Sequence, residues 1–343
     1  MKKFLIVLLS ATIVFSAAGC SNSSASGTKT DTDKKEADAS QLEDFDIVLD
    51  WYPNAVHAFI YDAIEKGYYA EEGLNVKVQF PANTNDAISL TAAGKADAGL
   101  YYQPDIISTV ANQNIPIKVL GTVVQHPLNI VMSMKDSGIK SAKDLKGKVI
   151  GYPGTMLNET FVKAMMEHNG LSYDDVTMQD VGFDLNTALI TGNVDALIGT
   201  YINHEYPTLV QEGYDVTYFD ITKEGVPDYE ELVLITGEEQ VKTESDKLER
   251  FIRASKKGFE DIKNDPEGGL EILLKNQDNA NYPLDENIEK ASMDILIPLM
   301  SSDEQGFLDV NEQSWTNTIN WLNEQGLLDS QVSAEDLMAK LNS

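Results

Sequence analysis

Alternation of apolar and polar residues appears early in the chain and returns later in the same order. Asp46-Ile47-Val48-Leu49-Asp50-Trp51 alternates and predicts a first strand, which Pro53-Asn54 breaks. Over residues 57–66, Phe59, Ile60, Ala63 and Ile64 share one helical face, and Gly67 stops the helix. Residues 75–80 alternate again, 85–93 predict a short helix, and 96–100 predict a third strand. The grammar resumes with a strand at 148–151, a turn at Pro153-Gly154-Thr155 and a helix at 159–168. A strand at 176–181, a short helix at 186–190 and a strand at 194–198 complete it.

One part of the repetition is nearly literal. Gly94-Lys95-Ala96-Asp97-Ala98 and Gly192-Asn193-Val194-Asp195-Ala196 each stand between a short helix and a strand. Strands alternating with helices imply parallel sheets with right-handed crossovers, so two such units predict two α/β lobes. The β-rich runs 129–134 and 231–236 lie at the expected crossings between them. The C-terminal third is helical and amphipathic, with a late apolar cluster at Trp315, Ile319, Trp321 and Leu322. It is expected to pack back on the first lobe. The expected architecture is α/β, two lobes joined by a two-strand hinge with the ligand cleft between them. Residues 44–133 and 233–343 form a discontinuous first lobe and 134–232 the second.

The N-terminus changes where this fold should reside. Lys2 and Lys3 precede a short apolar run, and small residues lead into Ala17-Ala18-Gly19-Cys20. This describes a secretory signal, too short for a spanning helix, ending in a sequence that resembles a lipobox with Cys20 lipidated. Residues 21–43 are polar and small, and predict a disordered tether. The chain is thus expected outside the cell, anchored by lipid to the outer face of the membrane. Cys20 is the sole cysteine, which removes disulfides and cysteine-based zinc or nucleophile chemistry from the mature fold. A formal charge of −29 argues against nucleic acid as a partner.

In parallel α/β sheets, ligands bind beyond the carboxyl ends of the strands. Those loops hold Trp51, Asn54 and His57, then Tyr102 and Gln103 in the first unit, and Gly154, Thr155, Tyr201, Asn203 and Glu205 in the second. Aromatic walls suit a planar ring. The only arginines, Arg250 and Arg253, fall on one predicted helix far from these loops, so a sulfonate, phosphate or carboxylate lacks its usual bidentate partner. The helix start after Gly154-Thr155 remains an alternative anion site. A neutral, nitrogen-rich heteroaromatic fits better. Asp97 and Asp195 read as turn or strand-start residues rather than ligand contacts.

Leu49-Asp50-Trp51-Tyr52-Pro53-Asn54 with His57, and Glu65-Lys66-Gly67-Tyr68-Tyr69-Ala70-Glu71-Glu72-Gly73-Leu74, resemble the opening of the thiamine-pyrimidine-precursor-binding proteins. Those belong with the sulfonate- and nitrate-binding proteins of ABC importers. Tyr102-Gln103-Pro104-Asp105, Gly151-Tyr152-Pro153-Gly154 and Ile198-Gly199-Thr200-Tyr201 with Glu205 match as well. The resemblance implies a periplasmic-binding-protein-like fold of type II and a thiamine pyrimidine precursor as ligand, N-formyl-4-amino-5-aminomethyl-2-methylpyrimidine foremost. It also implies an ABC permease and its ATPase as partners, and an acidic residue reading the aminopyrimidine edge, for which Glu205 is the candidate. A rim glutamate on a helix start is the plainer reading of that residue. Other ligands of the superfamily, an aliphatic sulfonate, nitrate or a riboflavin-like ring, form the alternative.

The pyrimidine synthases that share this fold are the enzyme alternative, and they depend on a cofactor-linked lysine and a cysteine-rich segment. No lysine falls in the cleft loops, and His57, His126, His168 and His204 are scattered without metal-ligand spacing. The expectation is a monomeric binding protein with no catalytic residues, cofactor or metal.

Overall fold

The computed structural model describes residues 42–341 except 84, 183 and 279–282. Cys20, the expected signal peptide and all but the end of the expected tether therefore lie outside the described residues. The first unit runs β1 (Glu43–Val48), α1 (Ala58–Glu65), α2 (Tyr68–Glu71), β2 (Leu74–Gln79), α3 (Asp86–Ala92), β3 (Ala98–Tyr101), α4 (Gln103–Gln113) and β4 (Ile117–Val124). The second runs β5 (Asn129–Met134), β6 (Val149–Tyr152), α5 (Met156–His168), β7 (Thr177–Asp180), α6 (Leu185–Ile190), β8 (Ala196–Tyr201), α7 (Glu205–Gln211) and β9 (Val216–Asp220). Then come β10 (Leu232–Gly237), α8 (Glu238–Thr243), α9 (Ser245–Asn264), α10 (Pro266–Lys275), α11 (Glu286–Met300), α12 (Glu312–Glu324) and α13 (Ala334–Leu337).

These strands form two five-stranded sheets of matching plan, β2-β1-β3-β10-β4 and β7-β6-β8-β5-β9. The outer three strands of each are parallel, and the fourth runs antiparallel to both neighbours. Apolar clusters line both faces of each sheet, so each lobe has its own core. Residues 129–134 and 231–236, expected as the crossings, are instead β5 and essentially β10, each an interior strand. Both are near-continuous apolar runs buried along almost their whole length, which marks an interior position rather than an exposed link. The chain passes between sheets at 125–128 and 221–231, so the second sheet begins before the boundary expected at 133/134.

The repeated aspartate motif does the same work in both lobes. Asp97 accepts from the backbone N–H of Asp46 at 2.7 Å and returns its own N–H to the Asp46 carbonyl at 2.9 Å. Asp195 does this to Val149 at 2.8 and 2.8 Å. Each thereby clamps the segment entering the third parallel strand to the central one, at Asp46 within β1 and at Val149, the first residue of β6.

The C-terminal helices cover the first sheet. α9 packs along α1 and α2, α10 on α1, and α12 on α4. α9 presents Leu248, Phe251, Ala254, Gly258, Phe259 and Ile262 on one buried stripe. α11 packs on α10 and on the 3-10 turn Ala55–His57, and it also touches α7 of the second lobe. Among the described residues, no helix is long and apolar enough to cross a membrane.

Candidate functional site

In the first lobe the site is built on the loop after β1. Asn54 caps the 3-10 turn, its Oδ1 accepting from Val56 N–H at 3.0 Å, while its own N–H donates to His57 Nδ1 at 3.2 Å. A ring nitrogen that accepts leaves the proton on the other, so His57 Nε2 donates to Asp50 Oδ1 at 2.9 Å. Tyr102 Oη donates to Asp50 Oδ2 at 2.8 Å. Burial first, then the Asp50 charge, lifts the Tyr102 phenol well above its usual range, so it stays a donor. Asp50 and His57, buried, and the half-buried Tyr102 hold the loop, while Trp51 is 38% exposed and makes an edge contact with Tyr52 at 5.8 Å.

The second lobe brings Tyr201 to the same place from the end of β8. Its Oη donates to Glu231 Oε1 at 3.0 Å, and Glu231 Oε2 accepts from Leu128 N–H at 2.8 Å and Tyr229 Oη at 3.1 Å. Glu231 therefore ties both connecting segments to β8. Burial drives its carboxyl up to about 7 against hydrogen bonds from Leu128, Tyr201, Tyr229 and Asn129 that favour the ionised form. Burial first, then the Glu231 charge and, more weakly, that of Asp50 in the first lobe, raise the Tyr201 phenol well above its usual range, so the two lobes' groups form one cluster.

Glu205 opens α7. Its Oε2 accepts from Tyr201 N–H at 2.7 Å, and its Oε1 lies 3.0 Å from His204 Nδ1. Asn203 Nδ2 donates to Ser292 Oγ of α11 at 3.0 Å, and Asn203 Oδ1 is buried without a hydrogen-bond partner among the described residues. Beside Ser292 on the same face, buried Glu289 accepts from Ala55 N–H at 2.7 Å. Burial raises its carboxyl; the Ala55 N–H first, and then His204 of the second lobe, pull it back.

The Gly154-Thr155 corner is hostile to an anion. Gly154 has φ 76°, and a Cβ there would lie 2.8 Å from Asp180 Oδ2, so a carboxylate already faces the turn. Thr155 caps α5 and takes the Asn158 side-chain amide at 2.7 Å. Arg250 and Arg253 are engaged with Glu43, Asp246 and Glu72 on the outer side of the first lobe. Gln103 is fully buried, its Oε1 accepting from Glu230 N–H at 3.2 Å and Thr318 Oγ1 at 2.9 Å. Those partners hold α4 against α12.

Trp51, Asn54, His57, Tyr102, Tyr201, Asn203 and Glu205 thus share one connected neighbourhood, while Gln103 faces the C-terminal helices. Sequence reasoning missed Asp50, Glu231, Glu289 and Ser292. The available signal was polarity inside apolar runs: Glu289 and Ser292 interrupt the buried stripe Ile288, Met293, Leu296, Met300.

Two α/β lobes joined by two segments, with strand ends meeting at the joint, make this a periplasmic-binding-protein-like fold. The periplasmic aliphatic sulphonate binding protein of Escherichia coli superposes with a TM-score of 0.70 over 88% of this chain and 93% of that one, at 13% identity. A family profile described as NMT1/THI5 like matches residues 54–268, and the chain belongs to that family. It is 42% identical to the formylaminopyrimidine-binding protein of Halalkalibacterium halodurans over 99% of both chains. The 4-amino-5-hydroxymethyl-2-methylpyrimidine phosphate synthase of Aspergillus parasiticus is 33% identical over only 44% of each chain.

Proposed function

We propose that this protein is the extracytoplasmic substrate-binding lipoprotein of an ABC importer and captures a thiamine pyrimidine precursor, N-formyl-4-amino-5-aminomethyl-2-methylpyrimidine. The observation that carries the proposal is the joint between the lobes, where aromatic and acidic side chains converge and the neighbouring anion corner is occupied by Asp180. Full-length relatedness to a formylaminopyrimidine-binding protein supports the ligand. In this reading Trp51 stacks on the ring, and Glu205 accepts from the exocyclic amine while sharing a proton with the adjacent ring nitrogen. Asn54, His57 and Tyr102 hold the first wall; Tyr201 and Asn203 hold the second; Gly154 and Thr155 shape its corner. Gln103 acts through the packing of α4. Lobe closure around the ligand presents the complex to a permease and its ATPase, with the protein held as a monomer at the outer membrane face by lipid on Cys20.

Calorimetric titration of wild type and Glu205→Gln with the formylaminopyrimidine tests the assignment. The expected outcome is one-to-one binding that weakens by at least about tenfold, roughly 1.4 kcal/mol, in the variant. A smaller change removes Glu205 from the ring edge.

A further inference from the structure

The reading of Glu205 as the group that meets the ring edge raises a difficulty that the geometry itself answers. Oε2 is held at 2.7 Å by the backbone N–H of Tyr201, a bond integral to the β8–α7 corner. Oε1 is therefore the more accessible oxygen for an incoming donor, and His204 Nδ1 already occupies it at 3.0 Å. The His204 side chain is about half exposed (48%), so it has solvent to swing into, whereas Glu205 is 23% exposed and fixed at its other oxygen.

We infer that His204 is an affinity-setting residue: its imidazole competes with the ligand for Glu205 Oε1, and binding displaces it toward Glu289. This inference rests on the proposed role of Glu205. Glu289 is positioned as the second acceptor. It projects from α11 of the first lobe, is held by Ala55 N–H at 2.7 Å, and lies close enough for its charge to be felt at His204. The groups facing the imidazole are Glu205 from α7 and Glu289 from α11; Asp285, at the start of α11, acts on Glu289. The adjacent Asn203–Ser292 bond keeps α11 beside the second lobe at this point. The hydrogen bond to Glu205 raises the imidazole above its ordinary range, with burial opposing, so protonation strengthens the competitor as pH falls.

The displaced state also joins the lobes. An imidazole moved from Glu205 to Glu289 exchanges a contact within the second lobe for one across the cleft. Ligand binding and closure are then coupled through one side chain.

The test is calorimetric titration of the full-length chain with 4-amino-5-hydroxymethyl-2-methylpyrimidine at pH 6 and pH 8, in wild type, His204→Ala and His204→Gln. His204→Ala is expected to bind about threefold or more tighter than wild type at pH 6, with the difference shrinking at pH 8. His204→Gln keeps a neutral donor and should fall between them at pH 6. Protonation of the probe is common to all three proteins and cancels in the comparison. Equal pH dependence in wild type and His204→Ala, or weaker binding by His204→Ala at both pH values, overturns the inference; a merely structural role for His204 gives the latter. Failure of wild type to bind this probe and its formylaminomethyl relative at either pH removes the functional reading, and the inference with it.

Discussion

At the scale of single residues, the site is organised around carboxyl groups whose partners are far away in sequence. Asp50 is bonded by Tyr102, 52 positions on, Glu231 by Leu128, 103 positions back, and Glu289 by Ala55, 234 positions back. No periodicity encodes such pairs, which is why these acids were invisible while the loop residues at strand ends were legible. Burying Glu231 has a measurable consequence. Its carboxyl holds a proton up to about pH 7 in the fold, against about 4.5 as its ordinary value. Between those values the native chain binds more protons than the unfolded one, so unfolding free energy falls as pH rises through the window. The contribution is on the order of 3 kcal/mol. His126, raised by its pairing with Asp228 on the other connecting segment, adds in the same direction, because its favourable pairing fades as pH rises. Glu231→Gln should therefore show a shallower loss of thermal stability from pH 5 to pH 8 than wild type. An unchanged slope would mean that Glu231 is ionised throughout.

At the scale of elements, period and punctuation gave most of both parallel units, because amphipathic strands and helices sit on half-solvated surfaces where alternation survives. Interior strands lose that signal. β5 and β10 read as links because an almost uniformly buried strand has no polar face to show its partner sheet. The repeated Asp97 and Asp195 were legible as strand-start residues, and the structure supplies their bonds. α11 was legible as an amphipathic helix of the first lobe, but its contribution to the joint depends on Glu289 and Ser292 facing α7 and the 3-10 turn. The α1–α9 crossing gives a sharper test of packing over propensity. A Cβ on Gly258 would sit 2.3 Å from the Phe59 carbonyl oxygen and 2.9 Å from Ala63 Cβ. Gly258→Ala would gain about 1 kcal/mol of helix propensity, yet overpacking at a backbone contact should outweigh it. Chemical denaturation is expected to show a net loss of about 1–3 kcal/mol. A more stable variant would mean that the two helices separate at little cost.

At the scale of the whole molecule, the two sheets share one plan, and each lobe contributes residues to the proposed site. The connecting segments are neither bare nor independent. Glu231 binds both of them to β8, and Glu230 beside it accepts from Trp315 Nε1 at 2.6 Å, Thr122 Oγ1 at 2.7 Å and Asn311 N–H at 3.0 Å, fastening the second segment to β4 and the C-terminal helices. The joint is thus anchored where the chain crosses, and α7 and α11 meet beside it. On the function proposed above, arginines committed elsewhere and Asp180 at the Gly154 corner favour an uncharged ring over an anion. Equilibrium titration of the full-length chain against a panel of formylaminopyrimidine, an alkanesulfonate and nitrate puts that directly to measurement. Saturable one-to-one binding of the pyrimidine with no heat from either anion is the outcome expected. Saturable binding of the sulfonate or nitrate, with none of the pyrimidine, would contradict the account.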